Sequence, residues 1–214
     1  MTKTLLCFGD SNTNGTKPLK ELGVFARYDR SIRWPGKLAG LLGAKWHVIE
    51  EGHPGRTTLL DDPIEGPHRN GLTVLPSILE SHRPIDLIIL KLGTNDLKPR
   101  FPMTAHDISL AIEKLISVIQ SSGCGVDGNA PEILLVAPVP ITVEGTLKLV
   151  FEGAGEKSRQ LAHFYELSAD KLGCAFFDAG TVAKTDPIDG VHLNEEAHHA
   201  IAHALFSKIE SNFP

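Results

Sequence analysis

Short apolar runs alternate with longer amphipathic segments along the chain, and this alternation constrains the fold more than any other sequence feature. Brief apolar runs ended by glycine or proline are typical of buried strands, whereas apolar residues repeating every three or four positions predict helices. Strands are predicted at 4–8, 46–50, 86–92, 133–137 and 174–177, and helices at 34–42, 72–81, 158–172 and 195–209, with another running from Thr104 or Asp107 to about Gly123. The alternation predicts an α/β fold in which right-handed βαβ units form a parallel sheet covered by helices on both faces.

Length and charge narrow the class of protein further. The 214 residues suffice for one α/β domain and no linker divides them, so 1–214 is predicted to be a single domain. A net charge of −5 without any basic run argues against nucleic acid or an anionic membrane surface as a partner. No apolar stretch approaches the roughly 18 residues that span a bilayer. Cys7, Cys124 and Cys174 are odd in number and form no CxxC pair, which is typical of a reduced, cytoplasmic protein.

Unusual polar residues follow the predicted strands at their carboxyl ends, which is where parallel sheets bind ligands. Gly9-Asp10-Ser11-Asn12 follows the first strand, 52–58 follows the second, and Gly93-Thr94-Asn95-Asp96 follows the third. The fifth strand leads through a longer loop to Asp189-Gly190-Val191-His192. The sequence therefore predicts that four distant loops converge on one edge of the sheet.

These loops contain the groups that acyl transfer requires. Ser11, on a tight turn after a strand, is the candidate nucleophile, and His192 is the candidate base because imidazole is largely neutral near pH 7. Asp189 lies three residues before His192, around Gly190, so that its carboxylate can fold under the imidazole and orient it. Asp186 is a competing orienting residue, but its return path across Pro187 is longer.

An oxyanion hole needs hydrogen-bond donors aimed at the charge that develops on the substrate. The backbone N–H of Ser11, the backbone N–H of Gly55 and the side-chain amide of Asn95 are the candidate donors, because each follows a predicted strand at the same edge.

The four polar blocks together resemble those of the SGNH (GDSL-type) hydrolases, in the same order and over nearly the whole chain. The resemblance implies a flavodoxin-like three-layer sandwich with five parallel strands in the order 2-1-3-4-5. It also implies esterase activity without a metal or cofactor, and it places Ser11, Gly55, Asn95 and His192 at the positions that give the family its name.

Two positions depart from the usual family pattern. Asn12 stands where many members carry leucine, a change interpreted as leaving the chemistry untouched, and Glu50 and Glu51 end the second strand where asparagine is common. The stretch 50–63, with Arg33-Trp34-Pro35 before it, resembles a branch of bacterial arylesterases and acyltransferases, some of which act on acetylated sugars. Members resembling this branch form homo-oligomers, including octamers, whose neighbouring subunits narrow the entrance to the site.

The predicted function is hydrolysis of short-chain, chiefly acetyl, esters such as aryl or carbohydrate acetates through an acyl-enzyme on Ser11, with acyl transfer as a side activity. The alternative is a flavin- or phosphate-binding module that uses the loop 11–15. That alternative leaves Asn95 and the pair Asp189/His192 unexplained, and Asp10 would repel a phosphate.

Three other features allow structural or functional interpretations. His198, His199 and His203 are interpreted as a solvated helix face, since a bare HxxxH is weak evidence for a metal. The segment 141–156 is a flap over the site, an intersubunit contact or an ordinary surface insertion. Trp34 and Trp46 are expected in the core or at an interface.

Overall fold

The computed structural model describes residues 2–213 and contains one five-stranded sheet. All neighbouring strands are parallel, and their order is β2-β1-β3-β4-β5, which confirms the predicted topology. The strands are β1 (Lys3–Gly9), β2 (Trp46–Gly52), β3 (Leu87–Lys91), β4 (Glu132–Ala137) and β5 (Ala175–Asp178).

Helices cover both faces of the sheet and make the molecule a three-layer α/β sandwich. They are α1 (Ser11–Asn14), α2 (Trp34–Leu42), α3 (Gly71–His82), α4 (Ala105–Gln120), α5 (Ala154–Leu172) and α6 (Glu195–Asn212). Helices α3, α4 and α5 contribute to the apolar cluster on one face, and α2 and α6 contribute to the cluster on the other. Helix α4 begins with a capping box, in which Thr104 accepts from the backbone N–H of Asp107 and the Asp107 side chain accepts in return.

The third strand shows why a nearly continuous apolar run predicts a buried parallel strand. Every residue of β3 is buried; Ile88 and Leu90 pack into one cluster, and Leu87 and Ile89 pack into the other. Burying each such side chain contributes about 1.5–3 kcal/mol, so a strand covered on both faces must be apolar on both. Trp34 and Trp46 are core residues of the cluster formed by α2 and α6.

The register of the sheet determines where the functional loops meet. Gly9 at the end of β1 pairs with Gly52 on β2 and with Lys91 on β3. Because these three strands end at the same level, the polar loops that follow them begin side by side, at the edge where parallel sheets bind ligands.

Two further sequence expectations concern the chain as a whole. Within residues 2–213, no helix is long and apolar enough to cross a membrane. Both apolar clusters pack on the same five strands. That residues 1–214 form a single domain stays a prediction.

Candidate active site

Ser11 opens the four-residue helix α1, one residue after the end of β1. Asp10 caps this helix, because its Oδ1 accepts the backbone N–H of Asn12 at 2.9 Å, and Gly15 ends it in the left-handed conformation at φ 84°. Glycine is required at position 9, since a Cβ there would lie 2.0 Å from Thr13 Oγ1. The turn is therefore tight enough to fix the direction of the serine hydroxyl.

Three side chains form a hydrogen-bonded line at this turn. The Nε2 atom of His192 lies 3.1 Å from Ser11 Oγ, and its Nδ1 atom lies 2.6 Å from Asp189 Oδ2. Since a carboxylate only accepts, Nδ1 carries the proton, which leaves the Nε2 lone pair free to accept from the serine hydroxyl. Asp189 is fully buried, and Ser11 and His192 are 7% and 5% exposed.

The loop before α6 holds the imidazole in place through the Asp189 carboxylate. Its Oδ1 accepts the backbone N–H groups of Val191 and His192 at 2.9 and 2.8 Å, and its Oδ2 accepts the N–H of Leu19 at 2.7 Å in addition to His192 Nδ1. Burial alone would raise the Asp189 pKa, but the side-chain hydrogen bond and charge of His192, with the backbone N–H groups of Leu19 and His192, outweigh it and leave the pKa lowered. The carboxylate is therefore ionised at neutral pH.

Asp186, the competing orienting residue, does not contact the imidazole ring. Its Oδ1 accepts the backbone N–H of Ile188 at 2.9 Å, and its own N–H donates to the carbonyl of His192 at 2.8 Å. Asp186 thus shapes the loop, and Asp189 is the carboxylate that the structure brings to His192.

The candidate oxyanion donors line the same cavity as the serine. Gly55 has φ 75°, a conformation that favours glycine, and a Cβ at this position would lie 2.6 Å from Glu65 Oε2 and would displace the end of that side chain. Among the residues that the structure describes, no acceptor pairs with the Gly55 N–H. The Asn95 side chain donates to the carbonyl of Arg56 at 3.1 Å, which turns its amide toward the Gly55 loop.

Two buried charged residues support these donors, and the sequence analysis gave them no such role. Arg56 donates from Nη1 to the carbonyls of Gly9 and Glu51, so it ties the Gly55 loop to the end of β1; burial lowers its pKa to about 10. Asp96 accepts from the backbone N–H of Thr58 at 2.9 Å and from its hydroxyl at 2.6 Å, so it ties the Asn95 loop to the Gly55 loop. Only the position of Asp96 directly after Asn95 could have indicated this role.

The active-site groups open into a cavity of about 560 Å³ that is lined by both apolar and polar side chains. The apolar side chains, hereafter the apolar wall, are Leu19, Leu22, Phe25, Leu147, Val150, Phe151 and Val191. The polar side chains include Arg27, His53, Glu65, Arg69 and Lys98, and Lys98 Nζ lies 5.9 Å from the centroid of the Phe151 ring. Glu65 accepts from Lys98 at 2.7 Å, and burial together with nearby Arg56 and Arg69 lowers the His53 pKa to about 4, so that His53 is neutral at pH 7.

The segment 141–156 contributes to the apolar wall through Leu147, Val150 and Phe151. Helix α5 starts at Ala154 rather than at the predicted Ser158, so the end of this segment is helical. Two backbone bonds attach the segment to the His192 loop, from Thr142 N to Gly190 O at 2.9 Å and from Thr146 N to Ile188 O at 3.0 Å.

The interpretation of the three α6 histidines as a solvated face is wrong for His198. This side chain is fully buried, and its Nδ1 accepts the backbone N–H of Trp34 at 3.2 Å. Burial, with the nearby charge of Lys91, lowers its pKa to about 3, so it acts as a neutral acceptor in the core. His199 and His203 are exposed and stack at 4.3 Å between ring centroids. In the described part of the chain, no group of three or more His, Cys, Asp or Glu residues could hold a metal ion.

A parallel α/β sheet that carries a hydroxyl, an imidazole and a carboxylate in one hydrogen-bonded line defines a serine hydrolase of the acyl-transfer type. The chain belongs to the GDSL-like lipase/acylhydrolase family, whose model matches residues 7–200. This match confirms the resemblance to the SGNH hydrolases that the four sequence blocks indicated.

Similar proteins of known structure share both fold and sequence with the chain. An aryl esterase from M. smegmatis is 40% identical, with a TM-score of 0.93 over 98% of this chain and 99% of that one. A carbohydrate acetylesterase from Sinorhizobium meliloti is 41% identical, with a TM-score of 0.94 over 99% and 100% of the two chains. An acetylxylan esterase from Xylanibacter ruminicola is 23% identical over 95% of this chain, which spans 42% of that protein's length.

Proposed function

We propose that this carboxylic ester hydrolase cleaves short-chain, chiefly acetyl, esters of aromatic alcohols or carbohydrates through an acyl-enzyme on Ser11. The observation that carries the proposal is the line from Ser11 Oγ through His192 to Asp189, opening into a cavity beside Gly55 and Asn95. The similar proteins, an aryl esterase, a carbohydrate acetylesterase and an acetylxylan esterase, support this choice of substrates.

In the first step, His192 Nε2 accepts the proton of Ser11 Oγ as that oxygen bonds to the ester carbonyl carbon. The N–H groups of Ser11 and Gly55 and the side-chain amide of Asn95 stabilise the negative carbonyl oxygen. The bond to the alcohol oxygen then breaks, and His192 returns the proton to that oxygen. Water repeats the sequence on the acyl-enzyme, which releases the carboxylic acid and restores Ser11.

The lining of the cavity supports short acyl groups and alcohols that pack on apolar side chains. The leaving oxygen must lie beside His192, whose loop is bonded to the segments that carry Leu19 and Leu147, so the alcohol lies against these apolar residues. Aromatic rings and the C–H faces of sugars both pack on such a surface. A long acyl chain that reached the ion pair of Lys98 and Glu65 would desolvate these charges, which favours short acyl groups. An alcohol bound on the apolar wall can also replace water as the acceptor, which supports acyl transfer as a side activity.

An acyl-chain series tests this assignment directly. Rates are measured for 4-nitrophenyl esters from acetate to octanoate, beside acetylated sugars and with Ser11→Ala as the control. The expected kcat/KM is highest for acetate and falls with chain length. A preference for octanoate, or activity that persists in Ser11→Ala, contradicts the proposal.

Exposed apolar side chains support assembly with further copies of the chain. Between 60% and 79% of the surface of each of five large apolar residues is exposed, namely Leu22, Val24, Phe25, Ile64 and Leu149. Leu22 and Phe25 also line the cavity, and Leu149 belongs to the segment 141–156, so a neighbouring copy on this surface would complete the rim of the site. This placement favours a combined flap and contact role for 141–156.

Light scattering measures the mass of the purified protein in solution. This mass gives the oligomeric state and tests the octamer that the family resemblance implies. We expect a homo-oligomer that dissociates when Phe25 and Leu149 are both changed to serine, whereas Leu167→Ser, on exposed helix surface, leaves it intact. A wild-type monomer contradicts the proposal.

A cytoplasmic location is supported by the thiol chemistry of the chain. Cys7, Cys124 and Cys174 are free, and burial raises the pKa values of Cys7 and Cys174, which keeps these thiols protonated and unreactive. Fractionation of the native cells tests this location; enrichment outside the cytoplasm would contradict it.

A further inference from the structure

Asn12, the residue after the serine, sends its side chain toward the loop that carries the imidazole. It is 3% exposed, and its Nδ2 donates to the carbonyl of Val191 at 3.1 Å while its Oδ1 accepts the N–H of Leu193 at 3.2 Å. Val191 and Leu193 are the residues on either side of His192. The side chain of Asn12 therefore hydrogen-bonds to the backbone on both sides of His192.

These two bonds tie the His192 loop directly to the turn that carries the serine, whereas the bonds of Leu19, Thr142 and Thr146 tie the same loop to other segments. Within residues 2–213, the Asn12 pair and the contact of Ser11 with His192 are the hydrogen bonds that join 10–15 to 189–194. The bonds that Asp189 accepts from Val191 and His192 orient the imidazole relative to the carboxylate, but they do not set its distance from the serine.

We propose that Asn12 is a positioning residue that sets the separation of Ser11 Oγ and His192 Nε2. Its backbone N–H is fixed by Asp10, so the side chain projects from the same rigid turn as the serine hydroxyl. Movement of the His192 loop away from Ser11 therefore stretches both hydrogen bonds of the Asn12 side chain at once. The inference rests on the proposed function, because it concerns proton transfer between those two atoms.

The leucine that many family members carry at this position cannot make either contact. Leucine has the same branched arrangement of four side-chain heavy atoms as asparagine and a larger volume, but it has no donor or acceptor, so Asn12→Leu leaves the buried groups of Val191 and Leu193 unpaired. Since a displacement of about 1 Å can cost on the order of 10²-fold in rate, we expect kcat to fall by about 10- to 100-fold. KM should stay within about twofold, because Asn12 does not belong to the described lining of the cavity.

The experiment compares kcat per active site rather than per milligram. Active sites are counted by stoichiometric labelling with an organophosphonate, and kcat and KM are then measured with 4-nitrophenyl acetate. Asn12→Leu is compared with Asn12→Asp, which keeps the acceptor for Leu193, replaces the NH₂ donor to Val191 with an oxygen and adds a negative charge. Thr104→Ala, a remote helix-cap change that should cost about 1 kcal/mol of stability, is the control for general destabilisation.

A lower kcat per labelled site with unchanged KM in both Asn12 variants, and a normal kcat per site in Thr104→Ala, supports the proposal. If Asn12→Leu does not fold, the near-isosteric Asn12→Asp decides. A folded variant with wild-type kcat per site overturns it. A variant that loses activity only because fewer sites are labelled, or only because KM rises, overturns it as well. Failure of the proposed function itself is recognised separately, by wild-type protein without esterase activity or by activity retained in Ser11→Ala.

Discussion

His192 Nδ1 lies 2.6 Å from Asp189 Oδ2, and both residues belong to one turn of the loop before α6. The turn also directs the backbone N–H groups of Val191 and His192 to the other carboxylate oxygen. The same short segment therefore carries the imidazole and holds the Asp189 carboxylate that orients it. Proximity in sequence thus makes the pair locally rigid, whereas the contact with Ser11 depends on the whole sheet.

Replacing Asp189 by asparagine should lower kcat by about 10⁴-fold, because an amide can donate to Nδ1 and so favour the wrong imidazole tautomer. Asp186→Asn is the matched control, since that carboxylate accepts only from the backbone of Ile188 in the described chain. Steady-state kinetics of both variants should show a large loss for the first and at most a few-fold change for the second. The reverse ranking would reject Asp189 as the orienting residue.

Replacing Ser11 by alanine should lower kcat by about 10⁴- to 10⁶-fold, since no other hydroxyl within residues 2–213 hydrogen-bonds to the imidazole. Intact-mass measurement after treatment with an organophosphonate should give one adduct per wild-type chain and none in the variant. Labelling that survives the substitution would identify a different nucleophile.

Replacing Gly55 by alanine should lower kcat by about 10²- to 10³-fold, because displacement of the loop moves an oxyanion donor. It should also destabilise the fold, since the added Cβ meets Glu65 Oε2 at 2.6 Å at a residue with φ 75°. Gly173→Ala is the control for the left-handed conformation alone, about 1–2 kcal/mol, because a Cβ at this residue has no neighbour within 4 Å. Urea unfolding and kinetics should show that only Gly55→Ala loses activity; equal activity in both variants would contradict the assigned role.

The stability of the protein should depend on pH through Asp96. Complete burial raises the Asp96 pKa to about 6 despite the hydrogen bonds from Thr58. The folded state therefore binds more protons than the unfolded state between about pH 4 and 6, so this carboxyl lowers the free energy of unfolding as pH rises through that window, by roughly 3 kcal/mol in all.

Urea unfolding of the wild type and of Asp96→Asn from pH 4 to 7 measures this contribution, because other groups cancel in the difference. The difference in unfolding free energy should change through the window and become constant above it. Asp107→Asn serves as a comparison, because the Thr104 hydroxyl and backbone N–H lower the Asp107 pKa. The contribution of Asp107 to the free energy of unfolding should therefore rise with pH, whereas that of Asp96 falls. A pH-independent difference for Asp96→Asn would contradict the prediction.

Most secondary structure could be read from local patterns, and the exceptions have identifiable causes. All five strands lie within two residues of their predicted bounds, because each contains apolar residues and is bounded by polar or turn residues. The start of α5 was missed since Gly153 precedes it with φ 73° and no side chain caps the helix. His198 was misread although it lies three and seven residues before Ile201 and Leu205, a spacing typical of one buried helix face.

The residue types that follow each strand can be read from the sequence, and with them the serine, the imidazole and the family. Folding was needed to show that Asp189 rather than Asp186 meets the imidazole and that Asn12 bonds to the backbone on both sides of it. It was also needed to show that Arg56 ties the Gly55 loop to Gly9 and that Asp96 ties that loop to Asn95. Sequence patterns miss such contacts because hydrophobic periodicity depends on near neighbours along the chain. The Ser11 and His192 contact joins residues 181 positions apart, so its geometry exists only once the strands are in register.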